Sequence, residues 1–246
     1  MSPILPFVGM VEGYSSPFAF ISIQNVKIRH HAQKSFASGF CYVADCILAI
    51  LAIKRGMPLN ALAPSISDPM IQKKLRIMYL DLDLHYSDAV SDAFYAPISS
   101  TPPQILVSLK LDEMGLSPIH LPQTLSIHHS SPGFFPASAR AQLPDVSSAD
   151  FDPFTLSIPL RRGASNTAYA RIWPIVERIK EIFSPDYIVV QCGVDALAGD
   201  PCSTFNWSLG NGEGSLGWCI QRILLNWSGK KLLLGGGERF DIATCS

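Results

Sequence analysis

Short apolar runs alternate along this chain with longer segments in which apolar residues recur at helical spacing. Continuous or alternating apolar runs predict strands, and helical spacing predicts helices. The predicted strands lie at 77–82, 105–109, 154–160, 187–191 and 231–234, and the predicted helices at 40–53, 89–94, 167–183 and 214–227. Strands that are apolar throughout and alternate with helices are typical of a parallel sheet covered on both faces. The sequence therefore predicts an α/β fold, a three-layer arrangement of a parallel sheet flanked by helices.

The most informative segment is 81–85, which follows the first long strand and reads Asp-Leu-Asp-Leu-His. Side chains alternate faces in an extended chain, so Asp81, Asp83 and His85 are predicted to share one face. Two carboxylates and an imidazole are costly to bury together without a cation or another partner, and all three are good zinc ligands. Two interpretations are open at this point: a metal site, or a strand end with solvated acids and a packed histidine.

Other polar clusters also follow predicted strands. Asp195 comes after the strand at 187–191, and Gly235–Gly237 come after the strand at 231–234. Ligands of parallel α/β sheets bind outside the carboxyl ends of the strands, where these clusters are expected to lie. A functional site at that edge of the sheet is therefore favoured, although Asp195 by itself also fits a helix N-cap.

Composition narrows the class of protein. Hydrophobic residues make up 48% and charged residues 16% of the 246 residues, so the chain can bury a substantial core. A net charge of -1 argues against direct binding to nucleic acid. The six cysteines form no CxxC pair, as expected in a reducing compartment. Neither a signal peptide nor a membrane span is predicted.

Four motifs occur along the chain in one order. They are His30-His31 with Gly39-Phe40-Cys41-Tyr42, then Asp81-Leu82-Asp83-Leu84-His85-Tyr86-Ser87-Asp88, then Ser131-Pro132-Gly133-Phe134-Phe135-Pro136, and last Gln191-Cys192-Gly193-Val194-Asp195. Together they resemble the zinc-dependent histone deacetylases, class I most closely. The resemblance runs from about residue 29 to residue 237 and implies the arginase/deacetylase fold.

The resemblance implies a zinc site and a proton-transfer pair. Asp83, His85 and Asp195 match the family's three zinc ligands, which leave an open zinc position for water and the substrate carbonyl. His30 and His31 match the adjacent histidines that take a proton from the water and give one to the leaving lysine amine.

Further site residues follow from the same resemblance. Asp81 and Asp88 match the carboxylates that orient the two histidines. Gly39, Phe40 and Phe135 match the narrow tunnel that holds the acetyl-lysine stem between two aromatic faces. The resemblance also implies a potassium ion close by, bound through side-chain or main-chain oxygens at or near Asp81, Asp83, His85, Ser108 and Leu109.

The chain departs from the family pattern at individual positions. The glycine run is followed by Glu238-Arg239-Phe240, where the family has a tyrosine whose hydroxyl binds the developing oxyanion. Loss of one such donor typically costs ~10²–10³ in rate. Ser87 and Ala89 stand where the family has glycines, so strain or movement of that loop is expected if positive φ is required there.

Whole segments depart as well. Residues 1–28 diverge, residues 29–237 are predicted to form a partial catalytic domain without the N- and C-terminal parts of the family fold, and residues 238–246 form a tail unlike the family. The abrupt junctions at 28/29, 109/110 and 237/238 motivate the hypothesis of altered splicing or gene modelling.

The stretch 110–150 is rich in glycine, proline and serine and is predicted to be a loop. His128 and His129 are interpreted as loop residues within it. Residues 110–127 are a predicted insertion, because joining Leu109 directly to His128 would give a sequence closer to the family.

The function implied by the resemblance is hydrolysis of N-acetyl-lysine in histones or other proteins. Weak activity or none is expected here, because the oxyanion-binding tyrosine is absent. Two alternatives stay open: a catalytically dead module that binds zinc or acetyl-lysine and, less favoured by the class I-like motifs, an acetylpolyamine amidohydrolase. The expected partners are acetylated histone tails or other acetyl-lysine proteins and a corepressor complex, in the nucleus or cytoplasm and without a membrane.

Overall fold

The computed structural model of the chain describes residues 30–55, 75–97 and 122–235. Its strands are β1 Ile77–Asp81, β2 Gln123–His129, β3 Thr155–Leu160, β4 Tyr187–Gln191 and β5 Lys230–Leu234. Its helices are α1 Asp45–Lys54, α2 Asp88–Phe94, α3 Asn166–Phe183 and α4 Leu216–Asn226. Among the helices in these ranges, none is long and apolar enough to cross a bilayer.

The five strands form one parallel sheet in the order β3-β2-β1-β4-β5. β1 is therefore the central strand, and its Leu80 pairs with Leu125 of β2 on one side and with Val190 of β4 on the other. Parallel strands need crossover connections, and helices lie in several of them: α2 follows β1, α3 follows β3 and α4 follows β4. The predicted parallel α/β sheet is confirmed.

Both faces of the sheet are covered. On one face Leu80 belongs to a core that includes Trp173 of α3 and Ile223 of α4. On the other face Tyr79 belongs to a core that includes Ile50 of α1. Neighbouring residues of β1 serve opposite cores because side chains alternate along a strand. The predicted three layers are confirmed, and they place the carboxyl ends of β1 and β4 side by side.

Residues 123–129 form the buried strand β2, so the prediction of a loop over 110–150 is wrong for this part. This strand was not predicted because its polar side chains interrupt the apolar pattern. Their partners come from the folded structure: His128 Nε2 donates to the Ala141 carbonyl at 3.0 Å, and His128 Nδ1 accepts from Ser126 Oγ at 2.9 Å.

His129 also ends this strand and does not lie in a loop. Residues 123–127, which were assigned to the predicted insertion, pair with β1 and β3 inside the sheet. The strand predicted at 105–109 lies outside the described residues, as do the segments 1–28 and 238–246. The domain boundaries drawn from the sequence stay predictions.

Candidate metal and catalytic site

The site begins where β1 ends. Asp81 is the last residue of the strand, and its Oδ1 accepts from the Asp83 N–H at 3.0 Å. The Asp83 Oδ1 accepts in the same way from the His85 N–H at 2.9 Å. Aspartate favours such turns, in which the side chain binds the backbone two residues further on. These turns, and not extended alternation, place Asp83 and His85.

A second strand end completes a group of three side chains that could hold a metal ion. Asp195 follows β4, and its Oδ2 lies 2.8 Å from His85 Nδ1, while its Oδ1 accepts from the Leu84 N–H at 2.9 Å. One ligand atom each from Asp83, His85 and Asp195 lies within 4.8 Å of the others. We call these three residues the metal triad. Two carboxylate oxygens and one imidazole nitrogen fit the donor set of a zinc site with an open position.

Gly193 lets the two strand ends approach this closely. A Cβ at this position would lie 2.0 Å from Asp83 Oδ2 and 2.6 Å from Asp83 Cγ. Any side chain here would displace the carboxylate, so glycine is required for the observed position of Asp83. The sequence analysis assigned no role to Gly193, because the contact forms only when β1 and β4 are adjacent.

The predicted histidine pair lies beside the triad, on the segment that precedes α1. His30 Nδ1 is 2.7 Å from Asp81 Oδ2, and His31 Nδ1 is 2.6 Å from Asp88 Oδ1. The two imidazole centroids are 4.0 Å apart. Because a carboxylate engages Nδ1 of His30, its Nε2 faces the triad, 3.6 Å from Asp83 Oδ1.

The two histidines have opposite pKa shifts. Burial opposes the charged form of His30, but the charges of Asp81 and Asp83 outweigh burial and raise the pKa of His30 to about 9. Burial and the charge of His30 lower the pKa of His31 to about 4, against the effect of Asp88. At neutral pH the pair therefore consists of one imidazolium and one neutral imidazole.

The pKa values of the three triad residues are also shifted. Burial opposes charge on His85, but hydrogen bonds to Asp195 and Asp83 raise its pKa to about 10. Burial disfavours the Asp83 carboxylate, yet the charge of His30 and the bond to His85 lower its pKa overall. Burial and the charge of Asp83 raise the pKa of Asp195. A divalent cation held by the three side chains would take the place of the His85 proton.

An aromatic entrance adjoins the histidine pair. A Cβ at Gly39 would lie 2.5 Å from His31 Cδ2 and 2.8 Å from Phe135 Cε1, and the φ of Gly39 is +53°. The Phe135 ring meets the His31 ring edge-on, with centroids 4.9 Å apart. Phe40 remains 61% exposed. The structure thus brings Gly39 and Phe135 to the histidines and leaves Phe40 at the surface.

Only part of the predicted potassium set falls in the described residues. Ser108 and Leu109 lie outside them. Ser126 is the serine that pairs with Asp81 across the sheet, and its Oγ accepts from the Ser87 N–H at 3.5 Å. The predicted role of Ser108 stays a prediction, and Ser126 is a serine that neighbours Asp81 within the described sheet.

Two aromatic residues of the site were missed. Phe134 stacks on the His85 imidazole, with centroids 5.1 Å apart and ring planes 9° apart. The Tyr79 hydroxyl donates to Asp81 Oδ2 at 2.5 Å. Both residues stand in apolar surroundings in the sequence, which predict core packing, and their site contacts depend on the tertiary fold. For Phe134, the sequence feature that could have indicated a role in the site was its position next to Phe135.

The fold and site define an α/β protein with a two-aspartate, one-histidine metal triad beside paired histidines. The chain matches the family model of the histone deacetylase domain over residues 24–238. It is 31% identical over 209 residues to histone deacetylase 8 of Xenopus laevis and 30% identical over 209 residues to histone deacetylase 8 of Danio rerio. It is 31% identical over 210 residues to histone deacetylase 19 of Arabidopsis thaliana. The chain belongs to the histone deacetylase family.

Each of these alignments covers 85% of this chain. They cover 50% of the Xenopus protein, 43% of the Danio protein and 32% of the Arabidopsis protein. The chain therefore spans about half the length, or less, of the curated relatives it matches. These matches establish family membership and confirm the resemblance predicted from the motifs.

Proposed function

We propose that this chain hydrolyses N-acetyl-lysine side chains in histones or other proteins, with zinc as its metal. The convergence of Asp83, His85 and Asp195 beside a histidine pair carries the proposal. Zn²⁺ bound by these side chains would supply Lewis acidity to the amide carbonyl and to the attacking water.

The histidine pair would move the protons of the reaction. His31 is neutral at pH 7 and its Nδ1 is held by Asp88, so its Nε2 is suited to accept a proton from the attacking water. His30 is cationic and held by Asp81, so it is suited to stabilise negative charge and to protonate the leaving lysine amine. The carboxylates keep both rings oriented for these steps.

The aromatic entrance supports an aliphatic side chain as substrate. Gly39 leaves room beside His31 and Phe135, where a Cβ would collide with both rings. Phe135 and the exposed Phe40 offer apolar ring faces to the methylene stem of an acetyl-lysine. This entrance would direct the acetyl group toward the triad.

We propose reduced turnover for this chain. The residues after the glycine run are Glu238-Arg239-Phe240, so no phenol stands where the family places its oxyanion donor. A rate ~10²–10³ below that of relatives that carry the tyrosine is expected. The same observation supports a second candidate function, a module that holds zinc or acetyl-lysine without turnover. An acetylpolyamine amidohydrolase remains the weakest of the candidates.

Other properties are proposed from the family resemblance. A potassium ion would lie near Asp81, with Ser126 as the candidate serine in the described residues. Acetylated histone tails or other acetyl-lysine proteins would be the substrates, within a corepressor complex. The proposed location is the nucleus or the cytoplasm.

One assay tests these proposals. The purified chain would be analysed for zinc and incubated with an acetyl-lysine peptide, with and without a hydroxamate inhibitor. Slow, inhibitor-sensitive turnover with one zinc per chain supports the deacetylase. Stoichiometric zinc and hydroxamate binding without turnover supports the binding module. Turnover equal to that of relatives that carry the tyrosine contradicts the proposed loss of rate.

Matched variants connect the result to the triad. Asp195→Asn removes one ligand charge and is expected to abolish stoichiometric zinc. Asp145→Asn alters an exposed aspartate outside the site and is expected to leave zinc content unchanged. Equal zinc content in both variants would contradict the proposed metal site.

A further inference from the structure

Three donors converge on the buried carboxylate of Asp81. His30 Nδ1 and the Tyr79 hydroxyl both contact Oδ2, at 2.7 and 2.5 Å. The Asp83 N–H donates to Oδ1 at 3.0 Å. Asp81 and Tyr79 are both 0% exposed, so water does not compete for these bonds.

The direction of the hydrogen bonds around Tyr79 is fixed. The oxygens of the Asp81 carboxylate also face His30 Nδ1 and the Asp83 N–H, and the phenol donates its single proton to Oδ2. Directed hydrogen bonds therefore run from Tyr79 and from His30 to the same oxygen of Asp81.

The second histidine lacks this support. Asp88 accepts from His31 Nδ1 at 2.6 Å, and its side chain is 15% exposed. Within the described residues, His31 is the one side-chain hydrogen-bond partner of Asp88. A buried phenol thus distinguishes the carboxylate of His30 from that of His31.

We propose that Tyr79 is a positioning residue, whose hydroxyl holds Asp81 in the orientation that keeps His30 Nδ1 bound and His30 Nε2 facing the metal triad. The catalytic meaning of this role rests on the proposed deacetylase function. The hydrogen-bond chain itself does not, so it can be tested in a chain with or without turnover.

Tyr79→Phe tests the proposal because it removes one oxygen and keeps the buried ring. The kcat for an acetyl-lysine peptide is expected to fall about tenfold with KM unchanged, since one hydrogen bond to a charged group is lost behind a proton-transfer residue. Tyr169→Phe is the matched control. Tyr169 is equally buried, and its hydroxyl has no hydrogen-bond partner in the described structure, so kcat is expected to stay the same.

Nuclear magnetic resonance supplies the readout that is independent of turnover. Two-bond ¹H–¹⁵N correlation in histidine-labelled, zinc-loaded chain reports the protonation of each ring nitrogen. His30→Gln and His31→Gln assign the two signals. Tyr79→Phe is expected to shift the ¹⁵N resonances of His30 and to leave those of His31 in place, whereas Tyr169→Phe is expected to shift neither.

The outcomes distinguish the positioning role of Tyr79 from the proposed deacetylase function. A His30 signal that is unchanged in Tyr79→Phe overturns the positioning role, whatever the activity. A loss of kcat of the same size in Tyr169→Phe also overturns it, because that loss would report general core damage. A selective His30 shift in a chain without measurable turnover supports the role of Tyr79 while the proposed deacetylase function fails.

Discussion

The metal triad and the histidine pair meet in one site, but different interactions hold them. The triad comes from the adjacent ends of β1 and β4, where the backbone amides of Leu84 and His85 fix its carboxylates. The histidines come from the segment before α1 and are tied to the sheet through the carboxylates of Asp81 and Asp88. Backbone geometry therefore determines the triad, and side-chain charge determines the pair.

The largest effect is expected from a substitution at Gly193, where the ends of β1 and β4 lie close together beside Asp83. Gly193→Ala would place a Cβ 2.0 Å from Asp83 Oδ2, so the carboxylate must move out of the position it shares with His85. We expect zinc affinity to fall by about a hundredfold or more, at the upper end of the losses caused by disturbing groups around metal ligands. Competition with a chromophoric chelator measures the change.

Gly212→Ala is the matched control, because a Cβ at that glycine meets nothing within 4 Å. Its zinc affinity is expected to equal that of the parent chain. If Gly193→Ala bound zinc as tightly as Gly212→Ala, the triad would not depend on the close approach of β1 and β4.

The histidine pair is expected to respond to pH in two opposite ways. The raised pKa of His30 stabilises the fold below pH 6.5, and this contribution is lost as pH rises through about 9. The lowered pKa of His31 favours the fold above pH 6.5, and stability is lost as pH falls toward about 4. Each shift corresponds to about 3 kcal/mol at most in the free energy of unfolding.

Urea unfolding of chelator-treated protein at several pH values separates the two contributions. His30→Gln is expected to flatten the fall in stability between pH 6.5 and 9, and His31→Gln to flatten the rise between pH 4 and 6.5. Parallel pH profiles for the parent chain and both variants would show that the two rings do not carry opposite shifts.

The contrast between local patterns and tertiary contacts also explains which strands and helices could be predicted from the sequence. β1 and β4 were found because their apolar runs are continuous, and α3 because its apolar residues keep helical spacing. β2 was missed because Ser126 and His128 are polar residues that bond to each other and to groups outside the strand, the Ser87 N–H and the Ala141 carbonyl. Local periodicity cannot reveal a buried polar strand that depends on tertiary hydrogen bonds.

The residues of the site also fall into two groups, those that the sequence predicts and those that it does not. The motif around Asp83 and His85 is local, so the sequence indicated a metal site there. The role of Gly193 depends on its close contact with Asp83, and the role of Tyr79 depends on a buried hydrogen bond to Asp81. Neither residue type by itself indicates such a role. Ser108, which the sequence analysis placed near a potassium ion, lies outside the described residues, and its role stays a prediction.

A smaller effect tests whether charge also matters to the triad. The pKa of His85 is raised to about 10, so zinc must displace a proton from this ring at neutral pH. Zinc affinity is expected to rise about tenfold per pH unit between about pH 6 and 8 for one displaced proton. Calorimetry in buffers of different ionisation enthalpy measures the proton release directly. An affinity independent of pH would mean that His85 is already neutral before zinc binds.

The smallest effect concerns the ring that supports the triad from one side. Phe134 stacks on His85 with ring planes 9° apart, and such stacking contributes about 0.5–1.5 kcal/mol. Phe134→Leu is therefore expected to weaken zinc binding about three- to tenfold by loosening the imidazole plane. Phe154→Leu removes a ring that packs edge-on against Phe183, away from the triad, and is expected to leave zinc affinity unchanged. Equal losses in both variants would mean that the stack contributes only to general packing, and that hydrogen bonds, among them the one to Asp195, orient His85 without the ring.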